Sequence, residues 1–212
     1  MPAIVVEHAS KSIKGRIVLD DISFTLENGR VYGFFGVNGS GKSMLFRAIS
    51  GLVKIDSGTI RVFNKRIGVD VSFPEDMGLA LGAWFWDDYS GFDNLKMLAS
   101  IRGVTSDEDV IRAIERLGLD PKDTRPYKAY SLGMKQRLEL AQAIMEKPKL
   151  LILDEPTNAL DASGVDLVVN IIKEEQNRGA TILLTAHNVR ELEMLCDRSF
   201  ELIDGSLHPV DS

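Results

Sequence analysis

The sequence predicts an α/β protein: a parallel-sheet core, an antiparallel β flap before it, and a helical insertion around residues 84 to 148. Two observations lead there. Late in the chain, short apolar runs alternate with helical patterns, the signature of buried parallel strands joined by helices. Early in the chain, β-branched runs follow one another through short turns such as ENGR, which leave no room for a helical crossover.

Taken in order, strands are expected at residues 3–7, 22–26, 31–35, 59–63, 150–153 and 181–184, each rich in β-branched residues and bounded by turn formers. Helices are expected at 43–50 after a glycine loop, at 107–117 before Gly118, at 132–145 before Pro148, and at 162–178 before Gly179. One stretch resists assignment by composition. MGLALGAWFWDDY, residues 77–89, holds both tryptophans in an apolar run that ends in two aspartates. It suits a buried strand, an interfacial segment or a partner site equally well.

Composition bounds the function. The 212 residues are 44% hydrophobic and 26% charged, long enough for one domain with an embedded subdomain. No stretch approaches the roughly 18 apolar residues of a spanning helix. The opening MPAIVVEHASK carries neither a basic n-region nor an apolar h-region, and Cys196 is the single cysteine, so a protein of the reducing cytoplasm is expected. Cys196, inside ELEMLCDR, reads as a small buried hydrophobe because no His or second Cys accompanies it. Twenty-five basic against 31 acidic residues give a net charge of −6, the wrong sign for gripping nucleic acid through its phosphates.

Three motifs carry chemistry. GFFGVNGSGKSM follows an apolar run and precedes a helical one, with Gly36, Gly41, Lys42 and Ser43 in G-x-x-x-x-G-K-[ST] spacing. Glycines let backbone N–H groups turn inward on an anion, a helix N-terminus adds positive dipole, Lys42 reaches the β and γ phosphates, and the Ser43 hydroxyl suits magnesium. KLLILDEP delivers Asp154 and Glu155 at the C-terminal end of a strand, where open α/β sheets bind ligands. Two acids ending a strand are ordinarily a solvated turn. Beside a phosphate loop, Asp154 suits the magnesium shell and Glu155 the attacking water. In YSLGMKQRLELAQAIM, Ser131 stands where an N-cap should, and Leu138, Ala141, Ile144 and Met145 recur at helical spacing. That helix start is itself an anion site, and with one phosphate loop already present it implies service to a second copy of the chain.

These residues resemble the ATP-binding domain of ABC transporters over essentially the whole chain, as a single domain of residues 1–212 with a P-loop NTPase (RecA-like) core. GVNGSGKS is similar to Walker A, YSLGM to the signature motif, LLILDE to Walker B, NALD to the D-loop, and His187 in LLTAHN to the switch histidine. The resemblance implies ATP and Mg2+ as ligands. It implies nucleotide contacts from Gly36, Asn38, Gly39, Ser40, Gly41, Lys42, Ser43 and Met44, with Ser43 and Asp154 at the metal and Lys42, Glu155 and His187 catalytic. Two copies would lie head to tail, most simply as a homodimer, each ATP held between one P-loop and the other copy's Ser131 and Gly133, with Asp161 linking the sites. A separately encoded transmembrane permease is implied as partner, placing the chain peripherally on the inner face of the cell membrane. YSLGMKQRL and YSGFDNLKMLASI lean towards exporters of drugs, bacteriocins or lantibiotics.

Two departures stand out. Where the family stacks adenine on an aromatic ring, SKSIKGR offers Ile13. Where a Q-loop glutamine or glutamate should follow the strand before the helical subdomain, Gly82 or Ala83 stands, with Asp87 or Asp88 as the nearest acids that could substitute. The 77–89 run therefore falls where the family receives its membrane partner, and Trp84, Phe85, Trp86 and Tyr89 are expected to form part of that groove, against the plainer reading of subdomain core. A small-molecule kinase would explain the glycine loop but not YSLGMKQR. A chromosome-maintenance ATPase would need coiled-coil insertions or basic faces. A non-hydrolysing ATP-gated regulatory module of the same fold is the alternative that Gly82 and Ile13 raise.

Overall fold

The structure, a computed structural model, describes residues 2–186 and 195–210. The chain runs β1 (Pro2–Ile13), β2 (Arg16–Glu27), β3 (Val31–Phe35), α1 (Lys42–Ile49), β4 (Ser57–Val62), β5 (Lys65–Arg66), β6 (Met77–Ala80), α2 (Gly91–Arg102), α3 (Asp107–Arg116), α4 (Leu132–Ile144), β7 (Leu150–Leu153), α5 (Ala162–Asn177), β8 (Thr181–Thr185), β9 (Arg198–Ile203) and β10 (Ser206–Val210). One sheet is antiparallel in the order β2-β1-β4-β5. The other has the order β10-β9-β3-β8-β7-β6 and is parallel except where β10 runs against β9.

The central strands are buried on both faces, which is why LLIL and TILLT read as continuous apolar runs. Their side chains alternate between two cores, as a period of two demands. Leu150, Ile152 and Leu183 join Phe34 and Phe46 beneath the antiparallel sheet, while Leu151, Leu153, Ile182 and Leu184 meet Leu95, Val110, Leu138 and Ile172 from the helices. Each fully buried side chain of this size contributes about 1.5–3 kcal/mol. Phe34 stacks on Phe200 at 5.2 Å between ring centres and meets Phe46 edge-on at 5.3 Å, holding α1 against β3.

The expected turn ENGR does something different from joining two antiparallel strands. It carries the chain from β2 in one sheet to β3 in the other, held by the Tyr32 hydroxyl accepting from Glu27 N–H at 2.7 Å and Thr181 Oγ1 accepting from Gly29 N–H at 3.0 Å. The antiparallel hairpin is β1–β2, closed at Lys14 and Gly15. Five further elements, β5, β6, α2, β9 and β10, were absent from the sequence expectation. In α2 the buried positions include Gly91 and Asn94, so its apolar stripe is thin. In β6, Gly78 hides the strand signal because α4 packs against it: a Cβ there would lie 1.9 Å from the Ala143 carbonyl oxygen.

Four of the five described α-helices begin on a side-chain cap. Ser90, Ser106, Ser131 and Asp161 each accept a backbone N–H, and Ser106 closes a capping box with Asp109. Helix α1 begins instead on Gly41, at φ 114°, with no side-chain cap. Cys196 is partly buried against the helical core, and burial, with the charge of Asp197 adding, pushes its thiol up to about 12, as an inert thiol requires. Among the described residues, no helix is long and apolar enough to cross a membrane.

Candidate active site

The loop from β3 to α1 lies directly on neighbouring backbone. A Cβ on Gly36 would meet the Leu202 carbonyl oxygen at 2.3 Å, and one on Gly41 the Val18 carbonyl oxygen at 2.6 Å, so glycine is required by space as well as by positive φ. With α1 uncapped, its first N–H groups stay open to an anion and the helix dipole favours negative charge there. Lys42 Nζ folds over the loop, donating to the carbonyls of Gly36 at 2.7 Å and Val37 at 3.3 Å. Ser40 Oγ is buried with no protein partner, an orphaned polar atom of the kind a bound phosphate oxygen would satisfy.

A hollow of about 290 Å³ opens over this loop, lined by Val18, Asn38, Gly39, Gly41, Lys42, Ser43, Met44 and Glu155. Asp154, at the end of β7, accepts from Ser43 Oγ at 2.6 Å through one oxygen and from Thr185 Oγ1 at 2.6 Å through the other. The same Thr185 hydroxyl accepts from Glu155 N–H at 2.8 Å. Glu155 itself sits at φ 52°, a conformation costly for a side chain this large, and it faces the hollow. The convergence of a hydroxyl and a carboxylate oxygen fits magnesium, which prefers oxygen ligands and leaves the rest of its shell to phosphate and water. No cluster of three or more His, Cys, Asp or Glu side chains able to hold a metal exists among the described residues, in keeping with that sparse protein contribution.

Other expected residues stand apart from the hollow. Ser131 caps α4, accepting from Met134 N–H at 3.2 Å, and Gly133 lies so near Ala159 that a Cβ would be 3.2 Å from its carbonyl oxygen. Asp161 caps α5, and the Gly164 N–H and Ser163 hydroxyl hold its carboxyl below the ordinary range. None of these three lines the hollow of its own chain. Ile13 sits at the end of β1 opposite Arg16, 40% exposed, whereas Val18 of β2 lines the hollow. His187 lies outside the described residues.

The 77–89 run divides. Residues 77–80 are strand β6; Phe85 turns inward and meets Tyr127 edge-on at 5.1 Å; Trp84 is 95% exposed, with Trp86 and Tyr89 about half exposed. Buried Asn94 holds the turn, accepting from Trp86 N–H at 2.7 Å and donating to the carbonyls of Trp86, Tyr89 and Ser90. Of the two acids expected as substitutes for the missing loop side chain, Asp88 is paired with Lys128 at 2.5 Å, and the Asp87 carbonyl accepts from Lys128 N–H. The group that reaches the loop is Glu139 of α4. One of its oxygens accepts from Gly82 N–H at 2.6 Å and Ala83 N–H at 2.9 Å. Sequence reasoning missed Glu139, Thr185 and Val18. Thr185 was signalled only by closing an otherwise apolar strand, and Glu139 and Val18 by nothing local.

The ABC transporter family matches residues 19–158. An uncharacterised ABC transporter ATP-binding protein of Bacillus subtilis (strain 168), YybJ, is 45% identical over 96% of this chain and 94% of its own. The lantibiotic transport ATP-binding protein SrtF of Streptococcus pyogenes is 35% identical over 95% and 87%, and the bacitracin transport ATP-binding protein BcrA of Enterococcus faecalis 34% identical over 96% and 67%. Among solved structures, an ATP-binding subunit of an ABC transporter superimposes with a TM-score of 0.86 at 24% identity, covering 99% of this chain and 90% of that one. A dimeric bacterial ABC transporter cassette does so with a TM-score of 0.87 at 19% identity, covering 99% of each.

Proposed function

The chain belongs to the ABC transporter family, and from that premise we propose that it is the ATP-hydrolysing subunit of an exporter, working as a head-to-tail dimer beneath a separate membrane permease. The observation that carries this is the Ser43–Asp154–Thr185–Glu155 chain of contacts, which fixes two acids beside an uncapped helix start. The relatives named for lantibiotic and bacitracin transport support export as the direction and peptide antibiotics as the class of cargo.

In this reading the Gly36–Ser43 backbone and Lys42 hold the β and γ phosphates, and Lys42 exchanges its carbonyl partners for phosphate oxygens. Ser43 and Asp154 would hold a magnesium ion, which would supply positive charge to the oxygens of the transferred group. Thr185 keeps Asp154 and the Glu155 backbone in register. Glu155 orients the attacking water and accepts its proton, a role worth about 10²- to 10⁴-fold in rate. Ser131 and Gly133, remote from their own hollow, close the site of a second copy, Asp161 links the two sites, and His187 contacts the γ-phosphate. Trp84, Trp86 and Tyr89 present an apolar face to the permease, which holds the chain at the cytoplasmic side of the membrane.

Phosphate release from Mg-ATP by the purified chain tests the chemistry. Turnover is expected, with Glu155→Gln lowering kcat by about 10²-fold or more while ATP still binds. Tight ATP binding with no turnover by the wild type, alone or with its permease, would instead favour the non-hydrolysing ATP-gated module.

A further inference from the structure

The loop after β6 lies between the nucleotide edge and the exposed tryptophans, and at Gly82 and Ala83 it has no polar side chain to hold it. Gly82 has none, sits at φ 88°, and has open space where a Cβ would be. The Ala80 carbonyl accepts from Asp154 N–H at 2.7 Å, so the loop departs directly beside the metal-side acid. From the opposite side α4 sends in Glu139, a half-buried carboxylate whose one oxygen takes both the Gly82 and Ala83 N–H groups. Burial pushes this carboxyl up, the two N–H groups pull it back, and the nearby charge of Asp154 pushes it up again. A carboxylate kept in such surroundings costs stability unless its bonds are used.

We propose that Glu139 is a positioning residue for hydrolysis: from α4 it supplies the anchor that Gly82 and Ala83 lack, fixing the loop against Asp154 and so tying the place of Trp84 and Trp86 to the state of the nucleotide. It acts through the loop and touches neither phosphate nor metal. The inference rests on the ATPase reading above. Glu139→Ala frees two N–H groups and unpins the loop. Glu139→Gln keeps a carbonyl oxygen in the same place and restores the anchor without the charge.

Both tryptophans of the chain lie within three residues of Ala83, so intrinsic fluorescence reports the loop directly. On addition of Mg-ATP to the full chain, the wild type is expected to show an emission change that Glu139→Ala loses and Glu139→Gln retains. In turnover, Glu139→Ala is expected to lower kcat about 10- to 100-fold, the range for groups that orient a metal or catalytic ligand, with KM for ATP within twofold, and Glu139→Gln to stay within about threefold of wild type. Ala83→Pro, which deletes one donor and leaves Glu139 intact, is expected to reproduce part of the Glu139→Ala defect and serves should that variant not fold. A Glu139→Ala or Ala83→Pro protein with wild-type fluorescence response and kcat overturns the inference, as does a Glu139→Gln protein as impaired as Glu139→Ala, which would place the effect in the charge. Absence of turnover in the wild type would count against the ATPase reading alone, because the fluorescence comparison requires only binding.

Discussion

At the residue scale, Ile13 is a position where one side chain is proposed to set an affinity. It sits at the end of β1, 40% exposed, where the family resemblance calls for an aromatic ring against adenine. An aliphatic side chain offers contact but no stacking face, and base–aromatic stacking is worth about 1–3 kcal/mol per base. Ile13→Tyr is therefore expected to tighten ATP binding about tenfold; equal affinity of variant and wild type in a titration would remove Ile13 from the base site. Much of the site was legible residue by residue, because Gly36, Lys42, Ser43, Asp154 and Glu155 belong to short contiguous motifs whose spacing carries the geometry. Glu139 was not. Its partners are Gly82 and Ala83, 57 and 56 residues away, and its place inside an ordinary helical pattern carries no mark of what it touches.

At the scale of elements, legibility followed periodicity. Strands β3, β7 and β8 are buried on both faces and announced themselves as apolar runs, while β6 and α2 were hidden by Gly78 and Asn94, residues chosen for close packing and for hydrogen bonding. The segment between them divides MGLALGAWFWDDY, with Phe85 packed against the core and Trp84 in solvent. A tryptophan 95% exposed contributes little to folding, so Trp84→Ala is expected to change stability by less than about 0.5 kcal/mol. If Trp84 anchors the permease, the same variant weakens co-purification with that partner by 2 kcal/mol or more, about 30-fold, with ATP binding intact. Full recovery of the complex by a Trp84→Ala,Trp86→Ala protein would return this face to plain surface.

At the scale of the whole molecule, the residues proposed to hold one nucleotide from two sides do not meet within a single chain. Its phosphate loop and Glu155 line one hollow, with Asp154 bonded to Ser43 of that loop, while Gly133 lies elsewhere beside Ala159 and Ser131 caps α4. The two-sheet layout was legible in outline, yet the passage of ENGR from one sheet to the other was not, since a short turn looks the same whether it closes a hairpin or changes layer. In the proposed function a second copy brings its Ser131 and Gly133 to this hollow. Sedimentation of Glu155→Gln with and without Mg-ATP measures this most directly. The prediction is a monomer without nucleotide, a dimer with Mg-ATP, and a monomer again when Ser131→Arg is added. A protein that binds Mg-ATP and stays monomeric at every concentration, or a dimer indifferent to both nucleotide and Ser131→Arg, would contradict it.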